Sequence, residues 1–255
     1  MRRVVFNQKG GVGKSTITCN LAAIAADRGE RTLVIDLDRQ ANSSRYLLGD
    51  TADDNTPGAA EFFETTLKFM VRSPKTSEFI VETPWENLHL MPASAALDEL
   101  HGKLESRYKI YKLRDALVEL GKDYDSIWID TPPALNFYTR SALIAAEACL
   151  IPFDCDDFSR RALYGLLESV TEIQADHNPK LKVEGIVVNQ FQPRASLPLR
   201  TVNELVAEGL PVLEPYLSAS VRIKESHEQG KPMIHLDPKH KLTQEFVRLH
   251  EVLKV

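Results

Sequence analysis

Val4-Val5-Phe6-Asn7-Gln8-Lys9-Gly10-Gly11-Val12-Gly13-Lys14-Ser15-Thr16-Ile17-Thr18-Cys19-Asn20 is the stretch whose reading decides the fold. An apolar run ending at Phe6 predicts a buried strand, a loop carrying Gly10, Gly11 and Gly13 follows, and Lys14-Ser15-Thr16 opens a helix. This is the layout of a phosphate cradle. Glycines let backbone N–H groups turn inward and approach an anion closely, and the helix N-terminus adds partial positive charge at the same point. Lys14 is placed to neutralise the β- and γ-phosphates, and the Ser15 hydroxyl to ligate magnesium.

The regular phosphate-loop spacing asks for a glycine at position 8, where the chain has Gln8. What fits is a loop opened by a second lysine, Lys9-Gly10-Gly11-Val12-Gly13-Lys14-Ser15-Thr16. This stretch resembles the deviant Walker A motif of the ParA/MinD family of ATPases, which includes the nitrogenase iron protein. The resemblance implies ATP and Mg2+ as ligands, held by Lys9 through Thr16.

Working outward, 255 residues fit one α/β domain spanning 1–255, although two small ones would also fit. Hydrophobic residues at 43% and charged residues at 26% describe an ordinary globular chain and argue against disorder. No apolar run is long enough to span a bilayer and no signal-peptide pattern precedes the first strand, so a cytoplasmic protein without membrane insertion is expected. Cys19, Cys149 and Cys155 have neither metal-site spacing nor disulfide density, and read as reduced, buried thiols. A net charge of -5 excludes a polycation, so any nucleic-acid contact must come from a local patch.

Helix and strand signals alternate along the chain. Ile17 to Arg28 has helical apolar spacing with Gly29 at the C-cap, and 32–35 is a short apolar run that delivers Asp36 and Asp38. Residues 50–84 are less readable: acidic and polar residues surround Asp53-Asp54-Asn55, and a helix is expected from Ala59 to Met70. Strands are predicted at 88–91, 126–129, 148–153 and 183–188, with helices within 95–121 and at 139–147 and 159–175. The pattern predicts an α/β fold, a single doubly wound and mostly parallel sheet with helices on both faces. Its ligand should lie beyond the carboxyl ends of the strands. The phosphate loop, Asp36, Asp38, Asp130 and Asn189 all fall at such ends.

Asp130 closes an apolar strand, as a Walker B acid does when it holds magnesium through its water shell, and a loop N-cap is the alternative reading. Asp36 and Asp38 are two residues apart, so an extended backbone would turn both carboxylates towards the triphosphate and its metal. The family carries a matching pair. By that resemblance Asp38 orients the water that attacks the γ-phosphate, while Asp36 belongs to the magnesium surroundings or, alternatively, is a capping acid.

Partition ATPases continue this pair with proline, glutamine and glycine. Here Gln40 and Asn42 match, while Arg39 and Ala41 depart, and Arg39 is left open as a partner contact. The resemblance also implies that Lys9 reaches across a two-fold axis to the phosphates of the other subunit. A cation there would act as an arginine finger does, an effect of about 10³ to 10⁵ in GTPases. Hydrolysis, with Lys9, Lys14 and Asp38 as the catalytic set, would then be slow and tied to homodimerisation. Asn189 resembles the asparagine that reads the adenine edge, its amide offering both donor and acceptor, with a strand-end turn as the alternative.

In the last third, Pro211-Val212-Leu213, Val221-Arg222, Glu225-Ser226, Gly230-Lys231-Pro232 and Asp237-Pro238 keep the order of landmarks of chromosome and plasmid partition ATPases. No helix-turn-helix module precedes the phosphate loop, so the likeness is to the short form. The function implied is an ATP-dependent dimerisation switch that positions a DNA locus or protein assembly, with a ParB-like stimulating partner. Non-specific DNA would be its matrix, through Arg194, Arg200, Arg222 and Lys224. Arg222 sits where the family places a DNA-contacting arginine, while Glu225 and Glu228 nearby suit a solvated surface equally.

Three rivals remain. A membrane-surface ATPase resembling MinD needs a basic amphipathic C-terminal helix. The stripe Leu242, Phe246, Leu249 and Leu253 exists, but Glu245 and Glu251 offset Arg248 and Lys254, which favours a helix docked on the body. Amidoligases such as cobyrinate diamide synthase share the fold but carry a substrate domain, often a glutaminase, for which this chain has no room. A metal-cluster reductase would need cluster cysteines on a symmetric interface, and Cys149 and Cys155 do not match that placement.

Overall fold

The first apolar run forms strand β1 (Arg2–Val5), and Lys14 begins helix α1 (Lys14–Asp27), which ends as Gly29 takes a φ of +84°. This is a computed structural model that describes residues 1–51, 56–69, 72–155 and 159–254. Asp53, Asp54, Asn55 and Met70 therefore lie outside the described residues.

The remaining strands are β2 (Thr32–Asp36), β3 (Val81–Glu82), β4 (Leu88–Met91), β5 (Ser126–Asp130), β6 (Ala148–Asp154), β7 (Lys182–Asn189) and β8 (Val212–Leu213). They make one sheet in the order β3-β4-β2-β5-β1-β6-β7-β8. Every pairing is parallel except that of β3 with β4. The expected parallel α/β sheet is thus present, with one antiparallel edge.

Strand pleat divides the core in two. Leu33 and Ile35 of β2 and Ile127 and Ile129 of β5 face one apolar layer, while Val34 and Trp128 face the other. The first layer is covered by α3 (Ala59–Leu67), α4 (Leu97–Ser106), α5 (Lys112–Leu120), α6 (Phe137–Ala145) and α7 (Ser159–Asp176). The second is covered by α1, α2 (Asn42–Leu48) and α11 (Lys241–Val252), together with α10 (Met233–Leu236) and the flank of α9 (Arg222–Glu228), whereas Val202 and Leu205 of α8 (Ser196–Ala207) join the first layer.

Boundaries moved where caps decide them. The helix expected from Thr139 starts at Phe137, because Asn136 Oδ1 accepts the Thr139 N–H at 3.1 Å. The stripe Leu242, Phe246, Leu249 and Leu253 of α11 is buried beside α1 residues such as Leu21 and Ile24. Glu245 on the same helix is also buried, accepting from Ser218 N and Oγ at 2.8 and 2.7 Å. The apolar face of the C-terminal helix is therefore spent on the body, as the balance of its charges suggested. No helix among the described residues is long and apolar enough to cross a membrane.

Candidate nucleotide site

A cleft of about 580 Å³ opens at the carboxyl ends of the strands, lined by Gly10, Gly11 and Gly13 to Thr16 of the loop and by Asp38, Gln40 and Pro133. Its floor is the phosphate loop. Asn7 anchors that loop, donating from Nδ2 to Pro152 O of β6 at 2.7 Å and accepting the Lys9 N–H at 2.8 Å. Gly13 precedes α1 with φ +92° and ψ +24°, a left-handed geometry that suits glycine, and so presents the first helical N–H groups to the cleft.

Lys14 is buried, and its Nζ donates to Lys9 O at 3.0 Å. Burial lowers its pKa, while the charges of Asp130 and Asp38 oppose that shift. Lys9 is half-buried and is not among the residues that line the cleft of its own chain.

Asp36 and Asp130 are register partners across the β2–β5 ladder, on the face covered by α1 and α2, and both are fully buried. Two carboxylates side by side in that setting resist ionising together, so burial, joined for Asp36 by the charge of Asp130, raises both pKa values. The first turn of α2 serves them. Ser43 Oγ donates to Asp130 Oδ2 at 2.7 Å, and Ser44 donates from N and Oγ to Asp36 Oδ2 at 2.9 and 2.8 Å.

Asp36 Oδ1 accepts the Asp38 N–H at 3.0 Å, so the backbone turns where extension was expected to continue. The two carboxylates therefore do not point the same way: Asp38 lines the cleft, whereas Asp36 lies behind it with both oxygens engaged. Asp38 Oδ1 accepts the Gln40 N–H at 3.0 Å, and Ala41 follows with φ +53°. The alanine thus keeps the left-handed turn that a glycine would adopt at lower cost. Arg39 pairs with Asp98 of α4 on the surface.

The Ser15 hydroxyl lies close enough to Asp130 to lower its pKa without completing a hydrogen bond, and Asp130 Oδ1 is buried with no partner among the described residues. An orphaned carboxylate oxygen beside a hydroxyl, under a phosphate cradle, fits a hard dication with oxygen ligands.

Asn189 is not on the lining. Its Nδ2 donates to Val12 O at 2.9 Å and packs on Gly13, so here it ties β7 to the back of the phosphate loop.

Several residues at the cleft carry no motif in the sequence. Ser43, Ser44, Arg45, Tyr46 and His227 stand on or around the cleft, and only the polar pair after Asn42 offered a signal for any of them. His227 Nε2 is 3.0 Å from Thr16 Oγ1.

The residues expected to contact DNA lie ahead of α8, on α8 and on α9. Arg194 shares a groove with Ser218 to Ser220 and Lys241, and Arg200 is exposed on α8, 3.9 Å from Glu204. Arg222 is engaged by Glu225 and by Asp237 at 3.5 Å, and Lys224 is exposed.

A glycine-rich loop between β1 and α1, with acids at neighbouring strand ends of a parallel sheet, defines the P-loop nucleotide-binding class. A family model described as an AAA domain matches residues 3–183. The chain is 34% identical over 253 residues to the chromosome partitioning protein ParA of Myxococcus xanthus, covering 98% of this chain and 87% of that protein. It belongs to the ParA/MinD family of P-loop ATPases.

Among solved structures, a Mycobacterium smegmatis protein described as cobyrinic acid a,c-diamide synthase, with bound ADP and magnesium, superposes with a TM-score of 0.82 at 26% identity. The match covers 98% of this chain and 92% of that one. An ATP complex of McdA from Cyanothece shares the fold, with a TM-score of 0.86 at 22% identity, covering 100% of this chain and 97% of that one.

Proposed function

We propose that this protein is an ATP-dependent dimerisation switch that partitions or positions a cargo, hydrolysing ATP slowly. The observation that carries the reading is the cleft itself, where Lys14, Ser15 and Asp38 gather over Asp130 while a second lysine opens the loop outside its own cleft. Lys14 binds the phosphate chain, and Ser15 and Asp130 hold magnesium, with Asp36 behind them. Magnesium supplies charge neutralisation on the phosphate oxygens. Asp38 is fixed through the Gln40 N–H at one oxygen, and its other oxygen accepts no hydrogen bond from the described residues. That second oxygen orients the attacking water, whose oxygen bonds to the γ-phosphorus as the bond to the leaving ADP breaks.

Lys9 completes the site of a second copy of the chain, which ties turnover to assembly. The dimer binds DNA without sequence preference through Arg194, Arg200, Arg222 and Lys224, and a ParB-like protein stimulates it. Because Arg222 already holds Glu225 and Asp237, its contribution requires exchanging those partners for phosphates. The test is light scattering of the Asp38→Ala protein with Mg-ATP, followed by titration onto random duplex DNA at low and high salt. A dimer that forms only with ATP and releases DNA steeply with salt is expected. A monomer under all nucleotide conditions refutes the switch.

A second reading, an amidoligase, is favoured by the likeness to the Mycobacterium smegmatis protein. ATP turnover that responds to a small carboxylate with an amine source, and not to DNA with a partner protein, would select it.

A further inference from the structure

The cleft has a wall that the phosphate loop and the acids leave unexplained. Arg45 and Tyr46 of α2 and His227 of α9 line it beside Thr16. Arg45 is exposed and its side chain makes no ion pair or hydrogen bond among the described residues, so a cation faces a phosphate site without a counterion. An unpaired guanidinium in such a place is suited to phosphate oxygens, which match its planar fork of donors.

His227 is held firmly. Its ring packs edge-on against Tyr46 with centroids 4.5 Å apart, and Tyr46 Oη bonds Ser226, the preceding residue. Ser226 also donates to Lys231 O, and Gly230 packs so closely that a side chain there would meet Gly49 Cα at 2.7 Å. The end of α9 is thus pinned to α2, and His227 reaches Thr16 from that support.

The direction of the Thr16–His227 bond matters beside an anion. If Thr16 donated, its oxygen lone pairs would face the phosphates. If the ring carries its proton on Nε2 and donates, the Thr16 hydroxyl hydrogen is released towards a phosphate oxygen. In a phosphate loop the lysine reaches the β- and γ-phosphates and the backbone cradles the α- and β-phosphates, so the Thr16 end is the α/β end.

We infer that Arg45 and His227 are nucleotide-site residues: Arg45 binds an α- or β-phosphate oxygen within its own subunit, and His227 is a positioning residue that orients the Thr16 hydroxyl towards the same group. The inference rests on the reading of the cleft as an ATP site. It adds a cation distinct from the two loop lysines and makes the α9 segment part of the nucleotide site.

Calorimetric titration with Mg-ATP and Mg-ADP tests it on the wild type and four variants. Arg45→Gln should weaken both nucleotides by about tenfold, since both carry α- and β-phosphates, and Arg45→Lys, which keeps the charge without the planar fork, should recover only part of the loss. His227→Phe should weaken binding, whereas His227→Gln, which can still donate to Thr16, should stay near wild type. An unchanged affinity for Arg45→Gln, or a loss confined to ATP, overturns the assignment of Arg45. Equal affinities for His227→Phe and His227→Gln overturn that of His227. A wild type that binds neither nucleotide removes the ATP reading together with this one, whereas a binding wild type with unchanged variants removes only this one.

Discussion

Alanine at Gly13 places a methyl group where the structure has no room. The residue sits at φ +92°, which costs an L-residue about 1 to 2 kcal/mol. A Cβ built there would lie 2.3 Å from Asn189 Nδ2, so the amide must swing away and give up its 2.9 Å bond to Val12 O. Losing that bond adds about 1 kcal/mol. Together the change should destabilise the protein by about 2 to 3 kcal/mol, lowering the thermal midpoint by about 4 to 6 °C for a chain of this size. Scanning calorimetry of Gly13→Ala, Asn189→Ala and the double variant separates the parts. With Asn189 already truncated, Gly13→Ala should cost only its backbone share, a coupling of about 1 kcal/mol. Equal costs of Gly13→Ala in both backgrounds would show that Asn189 does not rest on the phosphate loop, and the placement argued above would be abandoned.

Lys14→Met should abolish measurable Mg-ATP binding while leaving the fold intact, because the folded state already disfavours the buried ammonium; binding within about fivefold of wild type would refute its role. Lys9→Ala should still bind nucleotide but fail to form the ATP dimer in light scattering, and a normal dimer would remove the cross-subunit assignment. Asp38→Ala should bind ATP, dimerise and hydrolyse almost nothing; turnover at the wild-type rate would pass the water-orienting role to another group.

His250 gives a pH test. Burial pushes its pKa down to about 4, and its Nδ1 lies 3.3 Å from Arg28 Nη1, with Glu30, Lys254 and Arg3 also in its field. The fold keeps the ring neutral while the unfolded chain protonates near 6.5, so its stability is retained at neutral pH and lost as pH falls from about 6.5 towards 4. The loss should reach at most about 2 kcal/mol at pH 5. His250→Gln should lack that share of the slope, and identical slopes in chemical denaturation would refute a ring held neutral.

The sequence by itself determined the phosphate loop, the alternation of strands and helices, and the strand ends that carry Asp36 and Asp130. These features are local. A glycine-rich turn, a run of apolar residues covered on both faces and a helix stripe are fixed by sterics and burial within a few residues. The two-residue edge strands β3 and β8 were not legible, since no periodicity fits in two residues. The short α2 is not legible in the sequence, because its start is decided by bonds from Ser43 and Ser44 to acids on two different strands.

What only the tertiary structure decided is which distant groups share one space. The β2–β5 register sets Asp36 beside Asp130, which makes both carboxylates hard to ionise and sends Asp36 behind the cleft. Closure of the last third brings His227 to Thr16 across 211 residues of chain. Neither follows from spacing, because contacts of that separation are chosen by how the helices pack on the sheet and not by any preference of the residues for their neighbours.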